Sequence, residues 1–123
     1  MKCLVKNESA VGLTLKEIEK PSPKDNELLI KVKKAAICGT DLHIWNWDKW
    51  ASNTIKTPMT IGHEFMGQVH ELGSNVSNFH IGDRVVSNGK HAEVVNVPIN
   101  LCAKVPEKVL DEDCLLYTSD AAD

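Results

Sequence analysis

No apolar run in these 123 positions comes near the roughly 20 residues needed to cross a bilayer as a helix, so a membrane span is not expected. The opening Met1-Lys2-Cys3-Leu4-Val5-Lys6 lacks the apolar centre of a secretory signal, which leaves the cytoplasm as the default compartment. Charge of one sign is missing too. A net charge of −3 gives no electrostatic reason for a nucleic-acid or anionic-membrane partner. There is no internal repeat and no low-complexity tract. What remains is an ordinary soluble composition, 42% hydrophobic and 25% charged, with length for one domain and a single modest core.

The chain has 4 cysteines, which allow three pairings, but without a secretory signal they read as reduced thiols. Cys3, Cys102 and Cys114 stand among apolar neighbours, where a small buried thiol is the ordinary explanation. Cys38 has different company, described below.

Leu13 to Glu19 alternates and stops at Pro21-Ser22-Pro23, the pattern of a strand ended by residues that cannot continue a ladder. After the turn residues Lys24-Asp25-Asn26, Leu28 to Ile37 is the strongest strand, with Ile30 and Val32 inward and Lys31 and Lys33 in water. Lys34 breaks that phase, which predicts a bulge. Gly39 to Ile44 suits a single helical turn with Thr40 or Asp41 as cap, and Trp45 to Pro58 reads as a loop. Phe65 to Leu72 alternates again, and Gly82-Asp83 turns into Arg84-Val85-Val86. Asn88-Gly89 predicts a type I′ hairpin whose returning strand is His91 to Val97, followed by Leu101 to Val105. A helix is expected to start within Glu107 to Leu116. Roughly seven short strands separated by turn signals argue for a mainly β fold, a closed or nearly closed barrel.

The chemistry lies between Cys38 and Glu64. A thiol and an imidazole, Cys38 and His63, stand 25 residues apart, each beside a glycine that lets the backbone turn sharply. Sulfur and imidazole nitrogen are donors that zinc takes readily. Thr40 and His43 supply a hydroxyl and a second imidazole one helical turn apart, the parts from which a proton path to water is made. Glu64 adds a carboxylate, although adjacent strand residues face opposite ways and both reach one ion only where the backbone bends at Gly62. The tryptophans Trp45, Trp47 and Trp50 are more simply packing than substrate contacts. His70, His80 and His91 read as exposed or packing histidines.

Ala36-Ile37-Cys38-Gly39-Thr40-Asp41, the Trp-rich segment from Ile44 to Trp50, Gly62-His63-Glu64 and Gly82-Asp83-Arg84-Val85 together resemble the zinc-containing medium-chain dehydrogenases over about residues 1 to 113. That resemblance implies a GroES-like β-barrel catalytic domain, normally followed by a Rossmann domain that binds NAD. It implies Cys38, His63 and Glu64 as ligands of one catalytic zinc, and Thr40 and His43 as the proton relay. The implied partner is a small-molecule alcohol, L-threonine being the expected one, and the intact enzymes oligomerise. A catalytic domain is therefore expected over 1–113 and an irregular or truncated terminus over 114–123.

The sequence departs from the family twice. Where the family carries a histidine and a four-cysteine structural zinc lobe, Ser87 to Lys90 stands alone, and Cys102 and Cys114 do not restore a C-x-x-C spacing. No G-x-G-x-x-G follows a strand, so the Rossmann domain is expected to be absent from these residues. Two readings stay open. One is zinc-assisted oxidation of an alcohol; the other is a non-catalytic zinc-binding β-barrel module whose ion only helps it fold. A co-chaperonin-like subunit is a third, against which Cys38, Thr40, His43 and His63 speak, since assembly needs none of them.

Overall fold

In the computed structural model, which describes residues 1–114, the elements run β1 (Lys2–Lys6), β2 (Thr14–Glu17), β3 (Glu27–Ala35), α1 (Gly39–Asn46), α2 (Lys49–Thr54), β4 (Met59–Thr60), β5 (Phe65–Leu72), β6 (Arg84–Ser87), β7 (Val94–Pro98), a 3₁₀ turn (Ile99–Leu101), β8 (Ala103–Lys104) and α3 (Asp111–Cys114). The fold is mainly β, as expected. No helix among the described residues is long and apolar enough to cross a membrane.

Strand β1 has no counterpart in the sequence reading, because lysines at both ends make it look like surface. Cys3 and Val5 face the interior, and Lys6 is itself fully covered. Its ammonium donates to the carbonyls of Ala10 and Gly12, the latter at 2.7 Å, and lies 5.1 Å over the Trp47 ring. Carbonyl dipoles and a π face make that burial tolerable, and the burial still holds the ammonium below the ordinary lysine pKa. β1 pairs antiparallel with β2 on one side and β4 on the other, giving a three-stranded sheet.

The second sheet has the order β7-β3-β5-β6-β8, antiparallel throughout. Strand β3 is an interior strand, between β7 and β5, and Leu28, Leu29 and Ile30 are all without exposure, so that this end of the strand is covered on both faces. Its register against β5 shifts between Leu29 and Ile30 and again between Val32 and Lys34, the second being the irregularity that the phase break at Lys34 predicts. Lys31, Lys33 and Lys34 are exposed. Leu28, Ile30, Phe65, Val69, Phe79, Val85, Val95 and Val97 form the core. Gly67 permits the close approach of β3 and β5: a Cβ there would stand 2.4 Å from the Lys31 carbonyl oxygen.

Several local expectations are corrected. Strand β6 pairs with β5 and β8, and β7 pairs with β3, so Asn88-Gly89 does not close a two-residue hairpin. Both edges of β6 are already filled, and neither residue has the positive φ that a type I′ turn requires. Gly89 instead makes room for Phe65, whose ring a Cβ would meet at 2.5 Å. The stretch assigned to the returning strand begins three residues later as β7, because residues 91–93 serve the other sheet. Leu4 N–H donates to the His91 carbonyl at 2.9 Å, Glu93 N–H donates to the Lys2 carbonyl at 3.2 Å, and Cys3 bridges to Ala92. The Glu93 carbonyl also accepts from Val32 N–H at 3.0 Å, so this short connection stitches the two sheets together.

The segment expected to be a loop contains α2, started by Asp48, whose carboxylate accepts the Ala51 N–H at 2.9 Å. Helix α1 extends to Asn46 instead of stopping after one turn, and its cap is Cys38, neither Thr40 nor Asp41. At the other end, Arg84 ties α3 to the barrel through its Nε, 3.0 Å from Asp111 Oδ1, and through the Val109 carbonyl. Cys114 closes α3 and is buried; the remainder of the expected terminus, 115–123, lies outside the described residues.

Candidate metal centre

Cys38 sits at the junction of strand and helix, in extended backbone (φ −109°, ψ 175°), with α1 starting at the next residue. Its amide donates to Asp41 Oδ2 at 3.2 Å, and its carbonyl accepts the Asp41 N–H at 3.1 Å, which fixes the first turn. His63 arrives from the other side of the barrel, between β4 and β5, directly after Gly62. Gly62 has φ +109°, and a Cβ there would stand 2.6 Å from the His91 backbone nitrogen, so only glycine fits both the torsion and the space. These two turns bring Cys38 Sγ within 3.7 Å of His63 Nδ1. Donors at about 2.3 and 2.1 Å from one tetrahedral ion stand about 3.6 Å apart.

Asp41 completes a cluster: the Cys38 sulfur, a His63 ring nitrogen and an Asp41 carboxylate oxygen all lie within 4.8 Å of one another. Asp41 Oδ1 is buried with no hydrogen-bond partner among the described residues. Such an oxygen costs about 1–3 kcal/mol unless something satisfies it, more when charged. A mixed sulfur, nitrogen and oxygen donor set with an unsatisfied buried carboxylate oxygen fits a zinc ion. Cys38, Asp41 and His63 are the residues placed to hold one.

Glu64 is buried, with Oε1 3.4 Å from His63 Nε2, the ring nitrogen other than the one near Cys38. A carboxylate there favours the proton on Nε2 and leaves the Nδ1 lone pair toward the sulfur. Its backbone carbonyl accepts from Ala36 N–H at 3.1 Å, which ties β5 to the end of β3.

Thr40 and His43 lie one turn apart on α1, both exposed. No hydrogen bond joins them among the described residues. The His43 Nδ1 meets Asp48 Oδ2 instead, and its ring lies 5.7 Å from that of Trp50. The Asp48 carboxyl is held below the usual aspartate range, first by the Ala51 N–H and then by His43. Trp47 covers Lys6, while Trp45 helps line a hollow of about 120 Å³ with Leu13, Ile37, Leu42, Asp41 and His91.

His70 and His80 are exposed, in keeping with the sequence reading. His91 meets the packing alternative of that reading: its side chain is only 11% exposed and its Nε2 lies 3.1 Å from Asp41 Oδ2. Asp41 had a sequence signal, since a residue three positions after Cys38 at a helix start returns to the same side. His91 had none, as its partner is 50 residues away.

Comparison with known proteins agrees with this geometry. The family described as alcohol dehydrogenase GroES-like domain matches residues 24–107. L-threonine 3-dehydrogenase of Rhizobium etli is 53% identical over 89 residues, which is 72% of this chain and 26% of that protein. The enzyme of the same name from Bacillus velezensis is 60% identical over 85 residues, 69% of this chain and 24% of that protein. The chain thus spans about a quarter of the length of the curated relatives it matches. Among solved structures, 2R,3R-butanediol dehydrogenase of Bacillus subtilis superposes with a TM-score of 0.80 at 27% identity, over 94% of this chain and 43% of that one. Galactitol-1-phosphate dehydrogenase of Escherichia coli gives 0.80 at 24% identity, over 92% of this chain and 40% of that one, a likeness of fold alone. The match across the strands that frame Cys38 and His63 means that this chain belongs to the alcohol dehydrogenase GroES-like domain family.

Proposed function

We propose that these residues are the metal-binding and proton-handling part of a zinc- and NAD-dependent alcohol dehydrogenase whose substrate is L-threonine and whose product is 2-amino-3-oxobutanoate. The observation that carries this reading is the 3.7 Å approach of Cys38 Sγ to His63 Nδ1 across the barrel. The substrate follows from relatives named L-threonine 3-dehydrogenase that are 53% and 60% identical over the matched region.

Zinc, when bound, supplies a Lewis acid that lowers the pKa of the substrate hydroxyl, and NAD supplies the acceptor for the carbinol hydride. The residues of this chain do the rest. Cys38 and His63 would hold the ion, with Glu64 against His63 Nε2. Thr40 would accept the substrate's hydroxyl proton while giving its own to His43, which would pass a proton outward from a side chain 57% exposed to water. Asp48 holds His43 at Nδ1, which leaves Nε2 as the ring nitrogen available to the relay. NAD is held by sequence other than these 123 residues, which contain no G-x-G-x-x-G.

Zinc content of the purified chain, compared with Cys38→Ser and His63→Ala, tests the reading. One ion per chain is expected, with a loss in both variants. Equal zinc in all three removes the site. The chain alone is expected to form no NADH from L-threonine and NAD.

A further inference from the structure

Trp47 is the non-glycine residue of positive φ among the described residues, at φ 52° and ψ 49°. A left-handed residue that ends a helix is ordinarily glycine or asparagine, and a bulky side chain is disfavoured there. Lys6 is equally out of character, a lysine without exposure on a strand whose other buried residues are Cys3 and Val5. The two anomalies meet, since the Lys6 ammonium lies 5.1 Å over the Trp47 ring. Its other donors go to the carbonyls of Ala10 and Gly12, so that three N–H groups are accounted for by two oxygens and a π face. Closing the turn between α1 and α2 needs no indole, and filling the barrel wall needs no charge.

We propose that Lys6 is a positioning residue for His43, acting through Trp47 and Asp48. This inference rests on the proton-relay reading of the preceding section. Trp47 and Asp48 are the two residues between the end of α1 and the start of α2, so the torsion held at Trp47 decides where Asp48 is delivered. Asp48 then returns to His43 twice: its N–H donates to the His43 carbonyl at 3.4 Å, and its Oδ2 meets the ring Nδ1. Its Oδ1 is taken by the Ala51 N–H at 2.9 Å, which keeps the carboxylate from turning away. The same ammonium secures the end of α1 from a second side, because the loop it grips at Gly12 donates the Gly12 N–H to the Trp45 carbonyl at 2.8 Å.

What this arrangement selects is one of two tautomers. An ionised carboxylate only accepts, so His43 carries its proton on Nδ1, and Nε2 keeps the lone pair that a relay needs in order to receive one. The Asp48 carboxyl stays ionised, held low by the Ala51 N–H and then by His43. Without Asp48 in place the proton is free to move to Nε2, in a ring whose side chain is 57% exposed. Lys6 acts at a distance, by keeping Trp47 from relaxing to a torsion that suits a bulky side chain better.

Long-range proton–nitrogen correlation spectra of the histidine rings, with His43 assigned by His43→Gln and the imidazole kept neutral at a pH well above about 6.5, test this. The wild-type chain is expected to show the Nδ1–H tautomer at His43. Lys6→Met is expected to lose that preference in favour of Nε2–H, and Lys6→Arg, which keeps the charge and its donors, to retain most of it. Gly89→Ala, which strains the barrel at the Phe65 ring, is expected to lower the melting midpoint without moving the tautomer. A Lys6→Met chain that melts earlier yet keeps the wild-type tautomer would overturn the positioning role and leave Lys6 a residue of stability alone. Should circular dichroism show that Lys6→Met does not fold, Trp47→Gly, which suits the left-handed torsion and removes the ring, takes its place: loss of the tautomer is expected, and an unchanged tautomer overturns the inference. The metal reading fails separately. A chain that holds no zinc but loses the tautomer in Lys6→Met keeps this inference, whereas one that binds zinc and shows no Nδ1–H tautomer in the wild type loses this inference alone.

Discussion

His43 and Asp48 face each other across the turn between α1 and α2, ring Nδ1 against Oδ2, while the other oxygen of the same carboxylate accepts the Ala51 N–H that starts α2. One side chain therefore joins a helix start to the imidazole assigned to the proton relay, and disturbing it is felt in both.

Acid sensitivity follows from that contact. The Asp48 carboxyl is held below its ordinary 3.8 by the Ala51 amide and then by His43, so the folded state binds its proton less readily than the unfolded state. Its stabilisation is complete above about pH 3.8 and is lost as the pH falls through the lower folded value. Thermal midpoints of wild type and Asp48→Asn are expected to differ at pH 7 and to converge below pH 3.8. A gap that stays constant with pH would mean that the ionised carboxylate contributes nothing.

Chelation should lower the melting midpoint. An ion that binds only the folded chain stabilises it by about 2.7 kcal/mol when its free concentration is 100 times Kd. Adding a strong chelator is expected to remove that increment from the wild type and to leave Cys38→Ser where it was. An unchanged wild-type midpoint would show that the centre has no part in holding the barrel together.

Gly89 offers a test of why the glycine is there. Its Cβ position is 2.5 Å from the Phe65 ring, and its φ is not in the left-handed region. Gly89→Ala is expected to cost about 1–3 kcal/mol through overpacking, and a smaller ring partner, Phe65→Leu, to relieve it. Urea denaturation of the two single variants and the double should show a coupling of about 0.5–3 kcal/mol. Strict additivity would place the cost in the backbone.

Much of the architecture was legible because it is local. Phe65 to Leu72 alternates cleanly and is strand β5 as read, and the lysine that breaks phase at position 34 marks a real register shift against β5. Strand β1 was hidden because Lys6, a residue that ordinarily marks surface, is enclosed by two carbonyls and an indole. The pairing of β6 was misread because Asn88-Gly89 carries a strong local turn preference, while tertiary pairing had already filled both edges of that strand. Within the site, the meeting of Cys38 and His63 was legible from two donors beside glycines. The Asp41–His91 contact was not, since it exists only once the connection has been drawn across the barrel.

The stitch between the two sheets has two parts that differ in tolerance. Residues 91–93 are pinned by backbone bonds to β1, β3 and Ile61, whereas Asn88 and Lys90 are open to solvent. Extra polypeptide grafted between Asn88 and Lys90 meets no ladder and adds only the slowly growing entropy of a longer loop. Lengthening by even one residue after Lys90 would slide His91 off Gly62 and draw the imidazole away from Asp41. The barrel therefore has an outward port for new sequence whose threshold is a single peptide bond wide.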